Sequence, residues 1–388
     1  MPARHGRPWW GFAVVAALAA ACNNSTGPQA HLADPRQLST DLQTVSGVLQ
    51  SGVLASFGIV GTATGSPAKA ATPAGALLQA APLTTPRTAG QPYADAPRRL
   101  QALRLAARAL GSGISASVIP PQYLGQTFVW DDATHQYVLG PDAGPSNGVR
   151  IILYAINPLT ATATVAEPSN AVGFVDLLDE STTSPAVNKL HVIVKDGTPA
   201  SPGPITYANY TVSGSVTGNP ATAFNASAIG FVSDGTHTLT FDATFSATNL
   251  DTDNPDAQID VTWDLDNPVI HVALHETLTT SDANHLSVTA DFSVTRGTET
   301  VAVTGTITVV VAPESVTADL SITVNGVAYA RITGTATATT NTIQLVHADG
   351  SALAGPEVQA VSDLFDLPAQ IETAIDNLFN PCEHLMGA

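Results

Sequence analysis

From residue 204 onward the chain alternates apolar and polar positions with a period of two. "HTLTFDATFSAT" sets Leu239, Phe241, Ala243 and Phe245 on one face, with Thr and Asp on the other. "QIDVTWDLD" repeats the pattern with Ile259, Val261, Trp263 and Leu265. "HLSVTADFSV" gives Leu286, Val288, Ala290, Phe292 and Val294, and "ETVAVTGTITVVV" gives Val301, Val303, Ile307, Val309 and Val311. Period two with one apolar face predicts antiparallel strands buried on one side. These strands run to about twelve residues, against a usual five or six. Short polar turns join them. "VNGV" at 324–327 carries Asn-Gly, which supplies the positive φ that a type I′ turn needs at both central residues. "SDGTH" and "TRGTE" are turns of the same kind. Consecutive hairpins predict a meander.

The β region opens near residue 126. "QTFVWDDATHQYVLG" reads as a hairpin, with Phe128 and Trp130 on one arm and Tyr137 on the other. "NGVRIILYAIN", "AVGFVDLLDES" and "NKLHVIVKDG" continue it, so the predicted β domain covers 126–348. Helical periodicity flanks it. Leu38, Leu42, Val45 and Leu49 recur at spacings of three and four, which predicts a helix over 35–60 with Pro35 in its first turn. Six prolines between Pro67 and Pro97 mark 61–97 as an Ala/Pro-rich loop. Residues 98–112 predict a basic helix, apolar through Leu100, Leu103, Ala107 and Leu110 and charged through Arg98, Arg99, Arg104 and Arg108. At the far end 356–380 predicts a helical pair. Val358, Val361, Leu364 and Phe365 form its first stripe; Ile371, Ile375, Leu378 and Phe379 follow Pro368. A one-sided sheet must cover its apolar face. The expected fold is therefore mainly β: a long antiparallel meander curled into a half-barrel or open barrel, covered by N- and C-terminal helices. That outline resembles bacterial envelope lipid carriers of the LolA and LppX type, in architecture rather than motif.

The first residues give an address. Arg4 and Arg7 precede an apolar stretch from Trp9 to Ala21, too short for a comfortable membrane span, and small residues run into Cys22. Residues 1–21 read as a signal peptide. "LAAAC" resembles the lipobox of bacterial lipoproteins, departing from the commonest pattern by having Ala19 three before the cysteine, with Leu18 one step further back. The resemblance implies that Cys22 becomes the acylated first residue and that 22–34, beginning "CNNSTGPQA", is a tether. Acyl chains bury ~0.8 kcal/mol per CH₂, so two or three anchor stably. The expected localisation is the cell envelope, on the periplasmic side of a membrane or the cell surface. The expected partner is the membrane, reached through the N-terminal lipid.

Charge narrows the functions. The chain has 14 Lys and Arg against 32 Asp and Glu. Losing Arg4 and Arg7 with the leader leaves a net charge of −20. Such a surface repels phosphate backbones, which argues against nucleic-acid binding. Aromatic residues are 6% of the chain, too few for the girdles of a transmembrane barrel. With Cys22 acylated, Cys382 is a free thiol; otherwise the two cysteines are able to pair.

Chemistry is sparse. No GxSxG, HExxH, SxxK or P-loop occurs, and no cofactor or metal is expected. Asp251, Asp253 and Asp256 resemble the start of a calcium loop but lack its Gly and closing Glu, so they read as a solvated turn. His271 and His275 share one strand side, and the register sets His275 opposite Asp291 on the polar face. Two charges fall on the apolar face. Glu276 continues Ile270, Val272 and Leu274. Counting from the Asn-Gly turn pairs Ile322 with Tyr329 and Leu320 with Arg331, which turns Arg331 inward. An inward Arg331 either salt-bridges or meets a ligand's acidic group. Arg331, Tyr329 and Glu276 are thus the candidate lining of an amphiphile site. The leading expectation is a non-catalytic lipoprotein binding a hydrophobic or amphiphilic ligand. Beside it stand a structural or adhesive lipoprotein with a solid core, and an enzyme of unfamiliar type.

Mass spectrometry of the mature N-terminus checks the address. We expect a diacyl or triacyl mass on Cys22; a different N-terminus, or a Cys22–Cys382 bridge, contradicts the lipobox assignment.

Overall fold

The computed structural model describes residues 30–48, 52, 56, 118–157, 164–252, 254–282, 284–337 and 339–367. Cys22, Cys382, the 61–97 loop, the 98–112 helix, Leu49 and the second C-terminal helix with Phe379 lie outside them.

Sixteen strands are described: β1 Gln126–Asp131, β2 Gln136–Leu139, β3 Gly148–Tyr154, β4 Ala171–Asp179, β5 Thr182–Thr183, β6 Ala186–Thr198, β7 Ser201–Thr217 and β8 Ala223–Ser233. They continue as β9 Thr238–Thr248, β10 Asp256–Asp266, β11 Val269–Thr280, β12 His285–Arg296, β13 Glu299–Val310, β14 Ser315–Val324, β15 Val327–Thr337 and β16 Gln344–His347. They form one curled, open sheet, with β16 to β6 in unbroken reverse order, then β4, β3, β1 and β2; β5 pairs only with β6. The meander is as the alternation predicts, and the β region ends within a residue of expectation. One departure is at its start. β1 runs parallel to β3, so the sheet is mixed. The β1–β2 hairpin docks as a unit beside β3, with Trp130 opposite Tyr137. The sheet does not close, so two edges remain. Both are four-residue strands, β2 and β16, which leaves little edge to template further pairing.

Curling needs local bends. Gly230 and Gly305 sit inside strands at φ 152° and 147°. A side chain at either would strike a neighbouring carbonyl, of Asn209 or Asp319. Only glycine lets the strands kink and approach there.

The inner face carries the core. Phe245, Ile259, Val288, Ile307, Val309 and Ile322 are all buried. Two helices lie against it. The N-terminal helix, Pro35–Val48, is capped by Asp34, whose Oδ1 accepts the Arg36 and Gln37 N–H groups at 3.1 and 3.0 Å. It buries Leu38, Leu42 and Val45, as its spacing predicts. The C-terminal helix, 355–367, buries Ala360, Val361, Leu364, Phe365 and Leu367. Val358 is exposed instead of joining that stripe. The Ser39 hydroxyl donates to Asp363 and joins the two helices. Strands β3 and β4 are buried on both faces. Val149, Ile151 and Leu153 join the main core, while Ile152, Tyr154 and Phe174 pack with Trp130 and Val165 on the other side. This explains the continuous apolar run of "VRIILY".

The N-terminal segment is strapped across one rim of the sheet. The Ala30 N–H donates to the Ala328 carbonyl at 3.4 Å, and the Ala33 N–H to Glu299 Oε1 at 2.6 Å. Arg296 then bridges Asp41 at 2.9 Å and Glu299 at 3.5 Å. Asp41 and Glu299 are buried, so this ion cluster ties the helix to the β12–β13 turn in low dielectric.

Phe365→Asp is expected to destabilise by about 3–5 kcal/mol, because it strands a charge against the sheet. Thermal melting checks it; an unchanged midpoint would make the C-terminal helix peripheral.

Candidate functional site

The three residues expected to line one site are not brought together. A bulge separates Ile322 from Thr323 in the β14–β15 pairing. Thr323 pairs with Ala328 and Ile322 with Ala330, leaving Tyr329 as the extra residue. Every later partner shifts by one, so Arg331 faces Ser321 instead of Leu320. A one-residue slip reverses the side-chain face. Arg331 is accordingly exposed on the outer face, and the inward placement is corrected. The turn chemistry itself is as predicted, with Asn325 and Gly326 both at positive φ. What the sequence hides is the bulge, which lets the successive residues Tyr329 and Ala330 both be buried.

Tyr329 does point inward, and its hydroxyl donates to Glu357 Oε1 at 3.0 Å. Glu357 is the third residue of the C-terminal helix, and its Oε2 accepts the Ala354 N–H at 2.8 Å, one half of a capping box. His347 Nε2 lies 3.4 Å from the same carboxylate. Desolvation pushes Glu357 up, but the Ala354 N–H, the Tyr329 hydroxyl and His347 outweigh it and hold the carboxyl below its usual range. Burial, then the Glu357 charge, push the Tyr329 phenol up, so it stays protonated and serves as a donor. This node pins the helix start to β15 and β16. Sequence reasoning missed Glu357, because Ala354 at the cap lacks the Ser, Thr, Asp or Asn that would have marked a capping box.

Glu276 lies inward at 2% exposure, as its place in the apolar series predicts. Its row reads Ile259, Glu276, Ala290, Gly305 and Leu320 across β10 to β14. Small neighbours in β12 and β13 leave the carboxylate room. β11 and β15 are four strand spacings apart, roughly 19 Å, which separates Glu276 from Tyr329. Trp263 is also inward and buried, and its indole N–H meets no acceptor among the described residues.

The outer face is a lattice of Thr, Ser, Asp and His. His275 lies opposite Asp291, as the register predicts, yet its Nδ1 reaches Asp260 on the other side at 2.5 Å. His271 Nδ1 pairs Asp264 at 2.7 Å. Thr317 and Thr335 hydroxyls meet across strands at 3.0 Å. Such exposed cross-strand pairs contribute roughly 0.2–1 kcal/mol each. Asp256 is engaged by Asn249 Nδ2 at 3.0 Å and the Thr280 N–H at 3.2 Å, which makes the aspartate loop a hydrogen-bonded turn. No group of three or more metal-ligating side chains occurs among the described residues. At the β3–β4 end Arg150 grips Asp176 with two bonds of 2.6 and 2.7 Å over the Phe174 ring. That pair is spent on structure.

No family model, curated protein or solved structure matches the chain.

The outer carboxylates make stability acid-sensitive. Burial, the largest single effect, raises Asp260 and Asp234, but the hydrogen bonds from His275 and Gln258 to the first, and from His237 and the His237 and Thr236 N–H groups to the second, together outweigh it and lower both. Glu180 is lowered by Lys189 first, against desolvation, with His191 assisting. A depressed folded-state value stabilises above the unfolded value, about 4, and that gain is lost as pH falls through the folded value. The melting temperature is expected to hold from neutral pH to about 5 and to fall progressively below about 4. A midpoint insensitive to acid would show these contacts to be energetically idle.

Proposed function

We propose that the chain is a non-catalytic cell-envelope lipoprotein, acylated at Cys22, that works through its outer surfaces around a solid core. The observation that carries this is the state of the inner face. Val192, Val194, Val232, Val288, Ile307, Val309 and Ile322 have no accessible surface. An amphiphile held inside the curl needs apolar side chains that line open volume, and these do not. The outward Arg331 also removes the cation that was to receive an acidic headgroup. The Thr- and Asp-rich outer face suits a hydrated surface that resists association in the envelope.

One observation favours the reading as a carrier of a hydrophobic or amphiphilic ligand. The Trp263 N–H, buried without an acceptor among the described residues, suits a guest's carbonyl or ester oxygen.

Lipid extraction decides between the two. Mature protein purified in mild detergent is expected to yield no lipid beyond the acyl groups on Cys22, and Trp263 emission, read in a Trp130→Phe background, is expected not to shift with added fatty acid or phospholipid. A stoichiometric extracted lipid, lost in Trp263→Phe, would establish the carrier reading.

A further inference from the structure

We infer that the sheet stands on end at the lipid surface, with the rim of turns at 234–237, 266–269, 296–299 and 324–327 facing the membrane. This rests on the proposed acylation of Cys22. Two independent observations carry it.

The first is reach. Ala30 is bound to the Ala328 carbonyl, beside the 324–327 turn, and Ala33 to Glu299, beside the 296–299 turn. Cys22 is only eight residues before Ala30. Eight residues extend to at most ~29 Å. The strands between the rims have ten to twelve residues. They stand roughly 33–40 Å high. A lipid on Cys22 therefore holds the near rim against the bilayer. The far rim, with turns at 249–255, 281–284 and 311–314, lies beyond the span of the tether.

The second is the apolar surface of the rim. Val269 at 70% exposure and Val327 at 37% project from the near rim, against Val311 alone among the far-rim turns. Charge does not separate the ends: Asp34 and Asp266 are exposed at the near rim, Asp251 and Glu314 at the far one, and Asp234 and Asp282 each pair with a histidine three residues on. Apolar side chains on a rim favour the headgroup boundary. Tether and apolar surface select the same end, although neither depends on the other.

Site-directed fluorescence tests the orientation. Single cysteines replace Val269, Thr304 or Glu314 in the acylated protein carrying Cys382→Ser, and each is labelled with bimane. The proteins are reconstituted into phosphatidylethanolamine–phosphatidylglycerol vesicles with a nitroxide on a fraction of the headgroups. All three positions are on the surface, so folding is preserved; circular dichroism verifies it. The expected result is loss of about half the emission or more at 269, with 304 on the outer face and 314 on the far rim nearly unquenched. Equal quenching at 269 and 314, or strongest quenching at 304, would overturn the inference while the anchor stands. The intact mass of the same preparation reads the anchor separately, and an unacylated Cys22 would remove the tether argument together with the lipoprotein reading.

Discussion

A wide sheet with one apolar face has to be covered from water, and the rest of this molecule follows from that requirement. Each fully buried Val, Leu, Ile or Phe contributes about 1.5–3 kcal/mol. The inner face presents dozens of them. A flat sheet would leave that surface for helices alone to shield. Curling it turns the face on itself, and kinks at Gly230 and Gly305 make the bend sterically possible. The described helices then enter the curl apolar side first.

The helices are held at their ends by polar chemistry rather than along their length. The Arg296 cluster fixes the start of the N-terminal helix to the β12–β13 turn. The Tyr329–Glu357–His347 node fixes the start of the C-terminal helix to β15 and β16. Apolar burial is non-directional and tolerates sliding. These bonds supply the register that burial lacks.

The two rims differ chiefly in the N-terminal strap. Each has exposed carboxylates, Asp34 and Asp266 on the strapped rim and Asp251 and Glu314 on the other, and each has one aspartate paired with a histidine three residues on. In the proposed orientation it is the tether, and not a neutral or basic rim, that would hold a chain of net charge −18 at a lipid surface.

The alternation from Leu239 to Val309 by itself determined the meander, its polar outer face and the inward place of Glu276, because a strand's side chains have only two sides to take; Val311, at the end of the same series, is an exposed turn residue instead. Asn325-Gly326 determined its turn, and the spacing of Leu38, Leu42 and Val45 determined a helix face. Three matters belonged to tertiary structure. The parallel β1–β3 pairing depends on where a hairpin docks, which no local pattern encodes. The outward turn of Arg331 depends on one inserted residue at Tyr329, stabilised by Glu357 from a helix 28 residues later. Whether the curl is filled depends on how closely helices and sheet approach, a sum of side-chain volumes over the whole fold. Sequence period specifies which face is apolar; only packing decides whether anything is left to bind inside it.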